Sequence, residues 1–370
     1  MNSLNAMHPH ADRTLLSAVL LLLVASVVMV YSSSSVVALT SYNDSMYFMK
    51  RQLVSAVIGL VLMGLTMRFS HRLFSDQRLV LALLVLALGL LAATLVPGVG
   101  RMVNGSRRWL RLGMISFQPS ELAKFALIVY LSYYISKKGE RLRDFKNGLL
   151  PAYVVTGIFM ALAAFQPDFG SAVTLACVAA VMLYAGGANV LHMGGTIVAA
   201  LPLLFFAVVH KAYRWRRITA FLNPWDDQDG SGYQIIQSFL AFGSGGVFGR
   251  GLGEGRQKLL FLPERHSDFI YAVIGEELGL IGALAVIALF LVILWRGVKI
   301  ALAVHEPFSR HLALGITFLI TVQAVVNMCV VTGLLPTKGI ALPLVSYGGS
   351  SLVVTMAAVG VLLNISREAT

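Results

Sequence analysis

Leu15-Leu-Ser-Ala-Val-Leu-Leu-Leu-Leu-Val-Ala-Ser-Val-Val-Met-Val30 decides the fold class. The run holds no charge, and its only polar side chains are Ser17 and Ser26. As a helix it belongs in hydrocarbon. Similar runs recur along the 370 residues, of which 57% are hydrophobic and only 12% charged. A soluble chain of this size cannot cover so much apolar surface with so few charges. The expectation is an all-α, polytopic integral membrane protein, with residues 1–370 forming one membrane domain. Arg13 ahead of the run suggests a signal peptide, but no A-x-A site follows and more spans come after. An uncleaved first span is expected.

A bilayer core needs about 20 apolar residues in a helix. Ten candidate spans follow: 14–33, 52–67, 79–97, 120–136, 149–165, 170–186, 189–209, 269–295, 311–333 and 342–366. An even count puts both termini on one side. With that side inside, the inner segments carry thirteen Lys and Arg: Arg13, Arg68, Arg72, Arg78, Lys137, Lys138, Arg141, Arg143, Lys146, Arg296, Lys299, Arg310 and Arg367. The short outer segments carry seven: Lys50, Arg51, Arg101, Arg107, Arg108, Arg111 and Lys338. Segment 211–268, the one large extracytoplasmic stretch, holds eight more, from Lys211 to Arg265 and including Lys258. Long loops report topology poorly, so the termini are assigned to the cytoplasm. The outer basic excess, within a formal charge of +12, then points to an anionic ligand at the outer face rather than to nucleic acid.

Four constellations carry chemistry. Leu262-Pro-Glu-Arg-His-Ser-Asp268, followed by Gly275-Glu-Glu-Leu-Gly279, places Asp268 where the outer segment enters the eighth span. Asp268 there is either a helix N-cap or a general base at the membrane surface, and both can hold. Glu276 and Glu277 fall near the bilayer, where a carboxylate needs a partner or a cavity. Asn104-Gly-Ser-Arg-Arg-Trp-Leu-Arg-Leu-Gly113 supplies Arg108, a fork suited to phosphate. Glu121 and Lys124 share one helix face, as an internal ion pair or as ligand groups. Gln166-Pro-Asp168 makes a turn with Asp168 as a cap. Pro336-Thr-Lys-Gly339 precedes the last span, and Ser346-Tyr-Gly-Gly-Ser-Ser351 breaks the helix pattern early in that span. Lys338 is on the outer side there, and Ser346, Gly348 and Gly349 offer either free amides for an anion or a packing seam.

Other motifs are excluded or weak. The glycines from Gly243 to Gly253 follow no strand and lack the phosphate-loop spacing. No H-E-x-x-H or G-x-S-x-G occurs. Cys177 and Cys329 lie in apolar runs and suggest no disulfide framework. His266 and Asp268 lack a third ligand at diagnostic spacing, so a loosely held divalent ion, Mg or Mn, is the one candidate cofactor.

These blocks, in this order and with Asn223-Pro-Trp225 and Gly232-Tyr-Gln234, resemble the SEDS family of shape, elongation, division and sporulation proteins. The resemblance runs over nearly the whole chain. The Asn104-Gly-Ser-Arg-Arg-Trp and Pro336-Thr-Lys-Gly forms are nearer the division branch than the elongation branch, and sporulation members share them. Ser267 departs conservatively from the family's usual Thr.

The resemblance implies about ten transmembrane helices and a septal peptidoglycan glycosyltransferase that polymerises lipid II. It also implies a class B penicillin-binding protein as cross-linking partner, FtsI-like, together with other membrane proteins of the division apparatus. The family's essential aspartate falls on Asp268, and its other sensitive positions on Arg108, Glu121, Lys124, Asp168 and Lys338. One carboxylate base suffices because the diphosphate leaves as a stable anion. A lipid II transporter and a non-catalytic scaffold remain as alternatives.

Overall fold

The computed structural model describes residues 11–369, apart from 104–105, 113–114, 211, 229, 231 and 257–261. Asn104, Gly105, Gly113, Lys211 and Lys258, named above, lie outside the described residues. In chain order the described elements are α1 (Arg13–Tyr42), α2 (Tyr47–Arg68), α3 (Gln77–Leu95), β1 (Gly100–Val103), β2 (Ser106–Leu112), β3 (Ile115–Phe117), α4 (Pro119–Lys138), α5 (Leu150–Phe165) and α6 (Phe169–Ala185). Then come α7 (Val190–Val209), α8 (Ala212–Leu222), α9 (Tyr233–Gly245), α10 (Ile270–Ala303), α11 (Pro307–Val331) and α12 (Gly349–Ser366). The strands form one antiparallel sheet in the order β1-β2-β3.

Acidic caps and early prolines set several helix starts. Asp12 accepts from the Leu15 amide, Asp168 from that of Ser171 and Glu306 from that of Ser309. Pro119 and Pro307 open α4 and α11, where a missing N–H costs nothing.

Among the described residues, 7 segments are long and apolar enough to cross a membrane: α1, α2, α3, α5 with the turn before it, α10, α11 and α12. The other three expected spans have clear reasons for falling short. α6 has 17 residues, α7 contains Pro202, and α4 carries Glu121, Lys124, Lys137 and Lys138. α4 is nevertheless packed among α3, α6 and α11. α11 is the central mast, touching α4, α6, α10 and α12, while α2 and α12 pair along their length.

Polar contacts fix the two ends of the bundle. The Asp12 amide donates to the Ser366 hydroxyl (3.0 Å), and the Asp12 carboxylate pairs with Arg296. Glu368 pairs with Arg72 (3.2 Å). Residues 12 and 366 therefore share one end. The segments that carry Arg108, Asp168, Asp268 and Lys338 gather at the other.

α10 explains how two buried carboxylates are tolerated. Its 34 residues would reach about 51 Å if straight, well beyond a hydrocarbon core of about 30 Å. The helix breaks at Gly279, with φ 67°. The loop after α9 inserts into the break. Arg250 and Gly251 amides donate to the Glu276 and Glu277 carbonyls, and the Leu280 amide donates to the Gly246 carbonyl. The carboxylate of Glu276 accepts from the Arg256 amide (2.7 Å). That of Glu277 accepts from the Ser32 hydroxyl (2.7 Å) and the Gly253 amide (3.2 Å). Irregular backbone is thus satisfied by protein, as membrane burial requires.

A Cβ at Gly279 would lie 2.3 Å from the Gly249 nitrogen and would also strain a left-handed backbone. Gly279→Ala is expected to lose at least ~2 kcal/mol of stability. The check is a thermal melt of the detergent-purified protein, with Gly64→Ala, where a Cβ meets open space, as the neutral control.

Candidate active site

The site grows from four short segments at the end opposite residues 12 and 366. The first is β2. Arg108 lies where the register of β2 against β1 shifts, between the Arg101–Trp109 and Met102–Arg107 pairs, and such a bulge re-aims the side chain it carries. Its guanidinium reaches the turn between α5 and α6. Nε donates to the Gln166 carbonyl (3.3 Å), Nη2 donates to the Pro167 carbonyl, and Nη1 stands 3.8 Å from the Asp168 carboxylate. Asp168 is 2% exposed and caps α6 through the Ser171 amide (3.2 Å) and hydroxyl (2.8 Å). Asp168 therefore holds Arg108 rather than facing a ligand itself.

The third segment is the turn 262–269. The Glu264 carbonyl accepts from the amides of Ser267 (3.1 Å) and Phe269 (3.2 Å). Phe269, not Asp268, occupies the N-cap of α10, and no side chain caps it. The capping role open to Asp268 in the sequence is therefore not taken up, and its carboxyl is left for other work. The Asp268 carbonyl accepts from Asn327 Nδ2 (2.8 Å). The same amide group donates to the Ile340 carbonyl (2.6 Å). Buried Asn327 thus ties the third segment to the fourth, the loop 332–348. There Gly339 passes so close that a Cβ would sit 3.1 Å from Asp268 Oδ2.

The electrostatics follow from this crowding. Burial pushes the Asp268 carboxyl up to about 7. Glu264 and Asp168 push the same way, while Arg108 and Arg217 oppose. Burial also lowers Lys338 below the usual lysine range, with the Cys177 thiol nearby opposing it. The His266 ring lies 4.5 Å from Phe48 and 5.5 Å from Tyr347, centre to centre, and burial lowers its pKa.

The remaining expected residues are placed as supports. Ser346 donates its hydroxyl to the Ser267 carbonyl and accepts from the Leu342 amide (2.8 Å), binding the loop to the turn beside Asp268. Gly348 immediately precedes α12, and a Cβ at Gly349 would meet Ser55 at 2.9 Å, so this glycine serves the seam with α2. Glu121 and Lys124 form a buried ion pair (2.9 Å). Lys124 also donates to Gln323 (3.0 Å), whose amide donates to the Ala341 carbonyl (3.1 Å). This chain braces the fourth segment from below.

Arg217, Gln323 and Asn327 carry no reading of their own in the sequence, and Gly339 enters it only as the end of the Pro336-Thr-Lys-Gly motif. Gln323 and Asn327 stand four apart in an apolar run, hence on one helix face, a signal of an internal polar contact. Arg217 has no comparable signal. Among the described residues no three His, Cys, Asp or Glu side chains gather as a metal site. A divalent ion here would draw on carboxylate oxygens of the 262–269 turn and on ligand oxygens.

The family described as cell cycle protein, FtsW/RodA/SpoVE, matches residues 13–370. The chain belongs to this family. Among FtsW/RodA/SpoVE proteins it is 51% identical over 332 residues to a probable peptidoglycan glycosyltransferase FtsW of Trichlorobacter lovleyi, covering 90% of this chain and 87% of that one. It is 42% identical to stage V sporulation protein E of Bacillus subtilis, covering 88% of each. Thermus thermophilus RodA superposes with a TM-score of 0.70 at 29% identity, over 96% of this chain and 97% of that one. A chain from a peptidoglycan synthase complex that coordinates polymerization and crosslinking superposes with a TM-score of 0.78 at 31% identity, over 97% and 98%. The chain is thus an integral membrane member of the family, most like FtsW.

Lys124→Met leaves Glu121 buried without its cation and is expected to cost ~3–5 kcal/mol. Removing both charges with Glu121→Leu/Lys124→Met is expected to restore most of that stability in the same thermal melt.

Proposed function

We propose that this protein is a peptidoglycan glycosyltransferase that polymerises lipid II during septal wall synthesis, with Asp268 as its base. The observation that carries this is a half-buried carboxyl, tuned to about 7, at the bundle end where Arg108, Arg217 and Lys338 also gather. A pKa near the working pH suits a general base. The 51% identity to a probable FtsW glycosyltransferase gives independent support.

In the proposed step Asp268 removes the proton from the C4 hydroxyl of the acceptor sugar. The hydroxyl oxygen attacks the anomeric carbon of the donor. The bond from that carbon to the diphosphate oxygen breaks, its electron pair leaves with undecaprenyl diphosphate, and the configuration inverts. Arg108 and Lys338 stabilise the charge that builds on the leaving group. Asp168 acts through Arg108. Glu121, Lys124, Ser346, Gly348 and Gly349 hold the segments in place. A divalent ion, Mg or Mn, would supply further positive charge at the diphosphate if bound.

A transporter of the same lipid needs polar groups along a path through the bilayer. Here Glu121, Lys124, Glu276 and Glu277 are each engaged by neighbours inside the protein. That favours chemistry at one face over passage. The likeness to a chain from a polymerising and cross-linking complex supports a class B penicillin-binding protein as partner, alongside other division proteins. Both termini are assigned to the cytoplasm and the site to the outer face, at the septum. Basic residues at the end shared by residues 12 and 366 support that orientation.

The test uses the protein purified with its cognate class B penicillin-binding protein, the latter's own active site disabled, and lipid II as substrate. Wild type is expected to yield glycan strands on a gel. Asp268→Asn is expected to yield none while keeping its fold and its partner. Full activity in that variant contradicts the assignment. The wild-type rate is also expected to be about tenfold lower at pH 6 than at pH 8, because the base loses function as it gains its proton.

A further inference from the structure

Arg265 stands three residues before Asp268 in the same turn, and the transfer proposed above does not use it. It is 4% exposed, whereas Pro263 and Glu264 beside it are exposed. The turn thus sets its charges the opposite way to a solvated loop, with the acid outside and the cation covered. The backbone shows how. Glu264 has φ 50°, a left-handed conformation that a residue with a side chain rarely holds. Its carboxylate accepts from the Ser267 hydroxyl (2.8 Å), so the acid next in the chain is turned to Ser267.

No other acid takes its place. Among the described residues no carboxylate forms an ion pair with Arg265. Its Nη1 donates to the Leu262 carbonyl at 3.5 Å, the outer limit of a hydrogen bond. Nε is buried and has no partner among the described residues. Two buried atoms close by share that condition: Nδ1 of His266, and Oδ1 of Asn327, whose amide holds the Asp268 carbonyl. A guanidinium cannot shed its charge, and burying one without an anion is costly. Buried polar atoms left without partners, clustered on the turn of the base, mark a place for a ligand.

The chemistry of the reaction says which ligand. Polymerisation brings together two lipid-linked sugars, and each carries a diphosphate. The donor diphosphate is bonded to the reacting anomeric carbon, so its cations belong close to Asp268, where the Lys338–Gly339 turn passes. The acceptor keeps its diphosphate, which lies a disaccharide away from the hydroxyl that reacts. Its cation belongs near the turn but off the carboxyl. Arg265 has that placement, and the planar fork of an arginine fits phosphate oxygens. We propose that Arg265 is a second anion site, which binds the diphosphate of the acceptor lipid. This rests on the glycosyl transfer proposed above. An oxyanion replaces only the long contact to Leu262, so little is lost when it binds.

The test counts bound lipids. The full-length protein in complex with its partner carries Asp268→Asn, so that substrates stay unreacted, receives excess lipid II and is weighed by native mass spectrometry. This parent is expected to hold two lipid II, and the parent with Arg265→Met one. Arg265→Lys keeps the charge without the fork and is expected to hold two, the second more weakly. With Asp268 intact, Arg265→Met is expected to melt no lower than wild type in the absence of lipid, because an unpaired buried charge is gone. Its KM for lipid II is expected to rise about tenfold with kcat nearly unchanged. An arginine that only braces the turn predicts a lower melting temperature and two bound lipids. Two lipid II in the methionine variant, or one in the parent, overturns the proposal. So does loss of bound phosphatidylglycerol, or of the partner protein, with both lipid II retained. If wild type makes no polymer, the functional reading fails, and the lipid count still decides whether Arg265 binds a lipid diphosphate.

Discussion

Hydrocarbon gives no hydrogen bonds to a backbone that leaves the helix, so every irregular segment in this bundle must be satisfied by protein. The chain leaves regular helix at the break in α10 and in the loop before α12, and each has its own polar brace. At the break in α10, the inserted glycine loop exchanges backbone hydrogen bonds with residues 276–281, and two carboxylates take the amides of Gly253 and Arg256. In the loop before α12, Asn327, Gln323 and Ser346 hold backbone carbonyls and amides. The first brace fixes the direction in which the turn 262–269 enters α10. The second fixes the height of the Lys338 turn against it. The position of Asp268 results from both.

That dependence separates two kinds of charge that look alike in a sequence. Glu121, Lys124, Glu276 and Glu277 are buried and engaged by close partners, and their work is structural. Asp268 is buried enough to be pushed up to about 7, yet its carboxyl caps no helix. Arg108 and Arg217 make contacts to carbonyls of separate turns and oppose that shift. A carboxyl poised to change protonation near neutral pH, between cations suited to a diphosphate, matches glycosyl transfer from a lipid diphosphate with one base.

Much of this was legible in the sequence because apolar length and local capping are local signals. The cap at Asp168 and the Glu121–Lys124 face were read directly. Other features depended on long-range packing. α4 carries a buried charge pair because Lys124, beside Glu121, also finds Gln323 on α11, almost 200 positions away in the chain. The sheet that aims Arg108 lay in a stretch read only as a basic loop, although its Arg108-Trp-Leu110 alternation carries a weak strand signal. Asp268 sits where a cap is expected, and only the geometry shows Phe269 in that place. Arg217 belongs to an exposed amphipathic helix with many arginines. Nothing in spacing distinguishes it from Arg216 until Thr337 is seen beneath it.

The claim at the centre is that chemistry happens at one end of the bundle, the end of Asp268, and that no headgroup needs to cross. The most direct measurement places lipid II in a single leaflet of proteoliposomes in which the orientation of the complex has been established by protease access to residues near Arg13. Glycan strands are expected only when the headgroups occupy the leaflet on the Asp268 side. Strands formed from headgroups on the side of residues 12 and 366, or headgroups carried across without polymer, would contradict the account.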